Sequence, residues 1–269
     1  MNLPTLIEGR KLSFKDSIYN FLLNIGGLTI FNFEFMKQAF KPPYEIAEIR
    51  KHMDELGVKT FPIVSVMGLI IGVVLTMQSQ PTLQRFGATD FLPATVSLSI
   101  IRELAPILTA LIFAGRVSSG IGAEISSMRV TEQIDAMEVS AVNPFKFLIV
   151  SRVIATTIIL PILTMYVILI SLVGAFIAVI MTDNISLIYF TNAVVASISF
   201  GDFIPAILKT YVFGYIVGIA GSYKGYTADG GTEGVGRAST TAVVLASLLI
   251  LIVDMVMVKI TVWLWPSIG

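Results

Sequence analysis

Long stretches of apolar residues make up most of the chain from residue 61 onward. A helix that crosses the hydrocarbon core of a membrane, about 30 Å thick, needs about 20 mostly apolar residues. Five windows meet this length: 61 to 80, 92 to 115, 148 to 181, 203 to 222 and 239 to 264. The pattern predicts an all-α integral membrane protein with five transmembrane helices. The third window is long enough to tilt or to break at Pro161, and residues 183 to 202 could add a short re-entrant or interfacial helix after it.

The residues before the first window have a different pattern. Between residues 12 and 40, apolar side chains are interleaved with charged and amide side chains, which is typical of an amphipathic helix lying in the headgroup layer. Gly26 and Gly27 would allow this helix to bend into two arms. We therefore divide the chain into an N-terminal interfacial segment, residues 1 to 45, and a transmembrane domain, residues 46 to 269. A membrane anchor explains the first segment better than any catalytic role.

Small residues recur at every fourth position inside the windows. This spacing places them on one face of a helix, where two helix backbones can approach closely. Close packing within one subunit explains most of them, and one such face could also form a homodimer seam. The positions are Gly68 and Gly72, Ala110 and Ala114, Gly214, Gly218 and Ser222, and Ala238, Ala242 and Ala246.

Basic residues are concentrated in alternate connections between the windows. The segment before the first window and the loops 116 to 147 and 223 to 238 hold most of them, whereas the opposite loops hold Arg85 and little else. The positive-inside rule then places the N-terminus in the cytoplasm and the C-terminus outside.

Composition excludes several classes of protein. Only 13% of the residues are charged, against about 25% in a typical soluble domain. The net charge is zero and the basic residues form no cluster, so we expect no nucleic-acid partner. The chain has no Cys and one His, which makes a metal site or a catalytic triad improbable. We interpret His52 as a solvated residue on a charged segment.

Nothing in the sequence provides a nucleotide site. The phosphate-binding motif G-x-x-x-x-G-K-[ST] is absent, and the glycine-rich stretch 225 to 236 follows a membrane window rather than a β-strand. If ATP drives this protein, another chain must bind it. We therefore expect no cofactor and no catalytic residue on this chain.

Two adjacent charges, Arg102 and Glu103, interrupt the second window. A charged side chain at the centre of a membrane helix costs about 2.5 to 3.5 kcal/mol on insertion scales. Neighbouring residues point about 100° apart on a helix, so each of the two needs another partner or water. Pro106 removes the backbone donor that would bond to the Arg102 carbonyl, which loosens the helix here. The pair either forms salt bridges between helices that lock a dimer, or faces a lipid.

The loop 116 to 147 contains the pattern of a short amphipathic helix from residue 130 to 142. Ile134, Met137 and Val142 fall near one face, and Asn143-Pro144 would end the helix. Acidic and amide side chains surround that face. Such a helix suits docking into a partner's groove, but an ordinary connecting helix fits the pattern equally well.

Several longer motifs resemble the signature of the MlaE/YrbE permeases, which are subunits of MCE-associated ABC lipid transporters. The resemblance extends from about residue 45 to the C-terminus. In the second window and the loop after it, the motifs are Arg102 to Pro106, Phe113 to Arg116, Gly122 to Glu124, Met128-Arg129 and Thr131 to Met137. In the last third of the chain, they are Gly225-Tyr226, Gly230-Gly231, Glu233 to Arg237 and Thr240 to Val244.

The resemblance implies a homodimeric permease with two cytoplasmic ATPase subunits that bind ATP and Mg. An MCE-domain protein would sit on the outer face of a bacterial inner membrane, with the C-terminus in the periplasm. The expected cargo is phospholipid or a related lipid.

The resemblance also implies two sets of functional residues. The short helix becomes a coupling helix that contacts the ATPase through Arg129, Glu132, Gln133, Asp135, Met137 and Glu138. The lipid site comprises Arg102 and Glu103 with an apolar wall of Leu75, Leu83, Phe86 and Leu104. In this hypothesis Arg102 attracts the lipid phosphate, Glu103 tunes or gates the site, and the wall holds the acyl chains.

Two other classes of function remain as alternatives. An ion-coupled secondary transporter or channel would also span the membrane, but no inverted repeat is visible and few charges lie in the windows. An intramembrane enzyme would need acids such as Glu103, Asp202 and Asp254, but the motifs of intramembrane proteases are missing.

Overall fold

The computed structural model describes residues 14–42, 44–183 and 186–264, and every regular element in these ranges is a helix. The chain divides into two compact units, Met1–Pro43 and Tyr44–Gly269. In the first unit, helix α1 spans Phe14–Ala39 and is continuous across Gly26 and Gly27. The two glycines therefore do not interrupt the helix, and a bend of α1 at this point stays a prediction.

Five helical segments of the second unit are long and apolar enough to cross a membrane, which confirms the predicted number. They are Ile46–Arg85, Thr89–Val130, Phe145–Met181, Phe200–Tyr226 and Gly231–Leu264. Each contains its predicted window and extends beyond it. We call them the first to fifth spans; the first is helix α2, with 40 residues. At 1.5 Å per residue α2 is about 60 Å long, twice the thickness of the hydrocarbon core.

The second span is built from three α-helices joined by two π-helical turns. A 3₁₀ turn, Thr89–Phe91, precedes them. The elements are α3 (Leu92–Ser99), a π turn (Ile100–Leu104), α4 (Ala105–Phe113), a second π turn (Ala114–Ser118) and α5 (Ser119–Val130). The first π turn lies directly before Pro106, where the sequence predicted a loosened helix. Such turns inside α-helices are frequently found at functional sites.

The remaining helices complete the bundle. A short helix, α6 (Gln133–Val139), connects the second and third spans. The third span begins with a π turn (Phe145–Val150) and continues as α7 (Ser151–Asp183), which runs through Pro161 without the break considered above. Helix α8 (Leu187–Ser197) is short and apolar and lies in the stretch where an extra helix was predicted. The fourth and fifth spans are α9 (Phe200–Tyr226) and α10 (Gly231–Leu264).

Helices α2 and α7 pack with their backbones almost in contact. A methyl group built on Gly68 would lie 3.3 Å from the Val167 carbonyl oxygen, and one built on Gly72 would collide with the Ser171 carbonyl. Across the same contact, a methyl group on Gly174 would collide with the Leu69 carbonyl. The predicted small-residue face of the first span is therefore an interface within the subunit.

Helix α9 occupies the centre of the bundle through a second series of small residues. Gly214 and Gly218 pack against α7, where a methyl group on Gly214 would lie 2.5 Å from the Thr156 carbonyl oxygen. One turn further on, Gly221 and Gly225 pack against α5. The small residues of α10 also pack against α5, with the side chain of Ala242 close to Gly122. These small-residue faces therefore also form helix contacts within one subunit.

The contact at Gly72 yields a stability prediction. Replacing Gly72→Ala forces a methyl group against backbone atoms of α7 that cannot rotate away, and overpacking of this kind costs about 1 to 3 kcal/mol. We expect a lower melting temperature in detergent, measured by fluorescence-detected size-exclusion chromatography after heating. Gly236→Ala, which has no atom within 4 Å of the new methyl group, is the matched control and should melt like the parent. Equal melting temperatures for the two variants would contradict the close packing.

Candidate functional site

Arg102 pairs with an acid at the start of the fourth span. Its Nε donates to Asp202 Oδ1 over 2.7 Å, and its Nη2 lies 2.6 Å from the same oxygen. The other oxygen, Oδ2, accepts hydrogen bonds from the Ser199 backbone N–H at 2.8 Å and the Ser199 hydroxyl at 2.6 Å. Ser199 and Asp202 thereby form a capping box that fixes the first turn of α9 and the acid that Arg102 contacts.

Glu103 pairs with a lysine of the fourth span, the helix that also carries Asp202. Lys209 Nζ donates to Glu103 Oε2 at 2.8 Å and to Asp254 Oδ1 on α10 at 3.0 Å. The Lys209 side chain is 5% exposed, so its charge is held almost entirely by these two carboxylates. Each member of the adjacent charged pair thus finds its own partner, as the sequence predicted. The partners belong to other helices of the same chain, so these salt bridges join spans within one subunit.

These charges line a cavity of about 220 Å³ between the second, fourth and fifth spans. Arg102, Glu103, Asp202 and Lys209 form its charged wall. Small and mostly apolar residues of α9 and α10 form the rest: Gly201, Pro205, Ala206, Val258, Thr261 and Val262. We call this the first cavity. A site of this size can hold an anionic group at its charged wall with a short apolar segment beside it.

Sequence reasoning missed Lys209, although a signal was present. It is the one charged residue in the middle of the fourth window, and a lone charge at membrane depth is a functional or structural site by default. The acids Asp202 and Asp254 were noted only as candidates for an enzyme. The structure assigns both to the charge network.

The predicted apolar wall does not lie at the first cavity. Leu75, Leu83 and Leu104 are half-buried, Phe86 is 80% exposed, and none of the four lines this cavity. Their role in holding acyl chains stays a prediction.

The short helix predicted in this loop is present but shorter than expected, and its coupling role stays a prediction. Helix α6 covers Gln133–Val139, because Glu132 and Ala141 have left-handed backbone angles (φ 58° and 60°) that end a right-handed helix. Ile134 is completely buried and anchors the helix, whereas Val142 lies outside it and is exposed. The assignment of Val142 to the apolar face is therefore wrong.

The residues expected to contact an ATPase lie together around α6. Glu132, Gln133, Asp135 and Glu138 are exposed and Met137 is half-buried. Arg129, at the end of α5, lies 3.9 Å from Asp135, and its guanidinium is 5.6 Å from the ring centre of Tyr226 at the end of the fourth span. Helix α6 is thus held where the second and fourth spans end.

His52 is buried, so its interpretation as a solvated residue is wrong. Helix α2 buries a stripe at intervals of about four residues that runs from His52 through Thr60, Val64, Gly68 and Gly72 toward Gln80. The helix continues without interruption from the charged segment into the membrane window. His52 therefore lies on the same packed face as the glycines that contact α7.

Comparison with known proteins identifies the family. The model of the family described as Permease MlaE matches residues 49–260, which is most of the chain. The chain belongs to the MlaE permease family. A probable ABC transporter permease protein of Rickettsia typhi is 34% identical over 252 residues, which cover 94% of this chain and 95% of that protein. The probable ABC transporter permease of a Synechocystis species is 38% identical over 202 residues, covering 75% and 77%.

One MlaE relative has a name that states its cargo. The intermembrane phospholipid transport system permease protein MlaE of Haemophilus influenzae is 34% identical over 221 residues, covering 79% of this chain and 85% of that protein. The family match includes both the charge network and α6. The resemblance inferred from the motifs is therefore confirmed.

The charge network yields a second stability prediction. Lys209→Met leaves the buried Asp254 carboxylate without its partner, and breaking a buried ion pair in this way costs about 3 to 5 kcal/mol. We expect a large fall in the melting temperature, which a second change, Asp254→Asn, should largely reverse by removing the stranded charge. Lys259→Met, at an exposed lysine of α10, the helix of Asp254, is the control and should have little effect. A Lys209→Met variant as stable as this control would show that the pair does not hold the helices together.

Proposed function

We propose that this chain is the permease subunit of an ABC transporter that moves phospholipid or a related lipid. Its membership of the MlaE family supports this function, as does the name of its Haemophilus relative. The observation that carries the proposal is the first cavity, where a charged wall and an apolar wall meet at membrane depth. A lipid has both parts, a charged headgroup and apolar chains.

Exposure separates the roles of the charged residues in the first cavity. The side chains of Arg102 and Glu103 are 34% and 43% exposed, whereas Lys209 is nearly buried. Arg102 is therefore the cation that can reach a lipid phosphate, and a guanidinium offers several donors in a planar fork for its oxygens. Glu103 lies beside it and tunes or gates access. Lys209 and Asp254 hold the helices that carry the site.

Energy would come from two ATPase subunits that bind ATP and Mg, with no cofactor on this chain. The coupling surface is formed by α6 and the end of α5. Its members are Arg129, Glu132, Gln133, Asp135, Met137 and Glu138. The exposed acids and the anchored Ile134 support this assignment, because a docking helix needs a fixed inner face and an accessible outer one.

The complete transporter in this proposal is a permease homodimer with the two ATPases on the cytoplasmic side. An MCE-domain protein on the periplasmic side exchanges lipid with it. The distribution of Lys and Arg among the loops supports a cytoplasmic N-terminus and a periplasmic C-terminus in a bacterial inner membrane.

Coupling can be tested through ATP hydrolysis. The purified chain should not hydrolyse ATP alone, and turnover should depend on the co-purified ATPase. The double variant Glu132→Lys with Glu138→Lys should lower both co-purification and turnover several-fold, because it places two cations where the partner meets two acids. Asp90→Lys, at an exposed acid near the opposite end of the second span, should change neither. Unchanged binding and turnover in the double variant would refute the coupling assignment.

The lipid site can be tested through retained lipid. We expect Arg102→Ala to lower the amount of phospholipid that co-purifies with the permease, measured by mass spectrometry, because the phosphate loses its cation. The dimer should remain assembled, as judged by size-exclusion chromatography with light scattering. Arg85→Ala is the control, since Arg85 is exposed and outside the first cavity. A variant that keeps its lipid but dissociates would assign Arg102 to the dimer contact instead.

A further inference from the structure

A second cavity, of about 250 Å³, lies at the other end of the transmembrane bundle. The first half of α2, the last part of the second span and the start of α7 enclose it. Basic side chains on its wall are Lys59, Arg116 and Arg152, beside His52. The proposed lipid site uses none of these residues.

Arg152 is a buried cation with an unused donor. It is 3% exposed; its Nη1 donates to the Leu148 carbonyl at 2.8 Å and its Nη2 to Glu124 Oε1 at 2.6 Å. Its Nε is buried and has no hydrogen-bond partner among the described residues. Buried donors are nearly always satisfied in proteins. This Nε is closed to solvent, so Arg152 contributes a fixed positive charge to the wall of the cavity rather than a donor to its contents.

Arg116 carries a charge that no acid offsets. Its Nη1 donates to the Thr60 hydroxyl at 2.6 Å, and within the described ranges no carboxylate lies within 4.0 Å of its guanidinium. The Thr60 hydroxyl in turn donates to the Leu56 carbonyl, so the threonine holds the guanidinium in place. The remaining donors of the planar fork are available to an oxyanion.

The side chains that line the second cavity have a net charge of about one positive unit. Lys59 is paired with Glu55 on α2, and Arg152 is paired with Glu124. Arg116 is the third cation on the wall, and two acids, Glu55 and Glu124, are present among the described residues that line the cavity. The second cavity is therefore matched to a single negative charge.

The position of the second cavity in the membrane indicates which kind of molecule carries the negative charge. The α2 residues on its wall, 52 to 59, directly precede the apolar window that begins at residue 61, which places the cavity at headgroup depth. Arg116 follows Arg102 by 14 residues, or about 21 Å along a helix, about two thirds of the hydrocarbon thickness. The two cavities thus lie toward opposite leaflets. Both cavities are smaller than the roughly 300 to 1,000 Å³ of pockets for drug-sized ligands, so each suits the headgroup end of a lipid rather than a whole lipid.

We propose that the second cavity binds the phosphate of a lipid headgroup in the leaflet opposite the first cavity. Arg116 makes the contact, and the Arg152–Glu124 pair fixes the wall beside it. The choice of a lipid rests on the proposed function, since a free phosphate ion has the same chemistry. The transporter would then hold a headgroup site on each side of the membrane.

The absence of cysteine makes a direct binding test possible. Gly120 lines the second cavity and a Cβ there meets no atom within 4 Å, so Gly120→Cys can carry a fluorophore whose emission reports occupancy. The full-length labelled chain in mixed micelles is titrated with phosphatidylglycerol, with diacylglycerol of the same acyl chains, and with inorganic phosphate. A label on Gly236→Cys serves as the control for nonspecific changes.

We expect phosphatidylglycerol to change the emission at a concentration at least ten-fold lower than diacylglycerol does. Arg116→Gln should raise the apparent Kd at least ten-fold and Arg116→Lys by less, because lysine keeps the charge but lacks the fork. Arg50→Gln, at an exposed arginine of α2 outside the second cavity, should shift it less than two-fold. If Arg116→Gln does not fold, the Arg116→Lys variant and the two lipids still decide the outcome.

Equal responses to the two lipids, or no effect at Arg116, would overturn the phosphate site. A response to inorganic phosphate as strong as that to phosphatidylglycerol would retain the anion site but refute the lipid source. The assay requires no ATP and no partner. Binding without transport would therefore count against the proposed function alone, and transport without binding against the second cavity alone.

Discussion

The paired charges around Lys209 determine how the transmembrane helices are arranged. An ion in a membrane domain must find an opposite charge or water, and this lysine finds two carboxylates on two other spans. Arg102 and Asp202 join the second and fourth spans again at the start of α9. Because separating any of these helices would strand a charge, the second, fourth and fifth spans form one frame. The first cavity is a gap within that frame.

The same arrangement of charges occurs at both ends of the bundle. A nearly buried cation is fixed by carboxylates, and a more exposed arginine beside it faces a cavity. At one end these are Lys209 and Arg102, and at the other they are Arg152 and Arg116. The buried member joins helices through its carboxylate partners at both ends. The proposed headgroup contacts fall to the more exposed arginine of each cluster, and Arg102 also joins the second and fourth spans through Asp202.

The sequence predicted much of this structure because membrane helices are strongly constrained. Length and apolar content alone located five spans, and four-residue spacing of glycines located the contact faces. The need of Arg102 and Glu103 for separate partners also followed from helix geometry. The partners themselves, above all Lys209, could not be identified, since that requires knowing which helices are neighbours. His52 was misjudged because local polarity indicated solvent, whereas one uninterrupted helix carried it onto a packed face.

The two π turns let the second span hold one extra residue at each of two places. Each hydrogen-bonds from residue i to i+5, so it contains one residue more than an α-helical turn. The extra residue is taken up within the turn, so the helix beyond it keeps nearly the same facing. One turn contains Arg102 and the other Arg116. Loss of one residue from a turn would therefore leave the packed faces of α3, α4 and α5 nearly in place and change the direction mainly of the side chains in the turn, which include the two arginines.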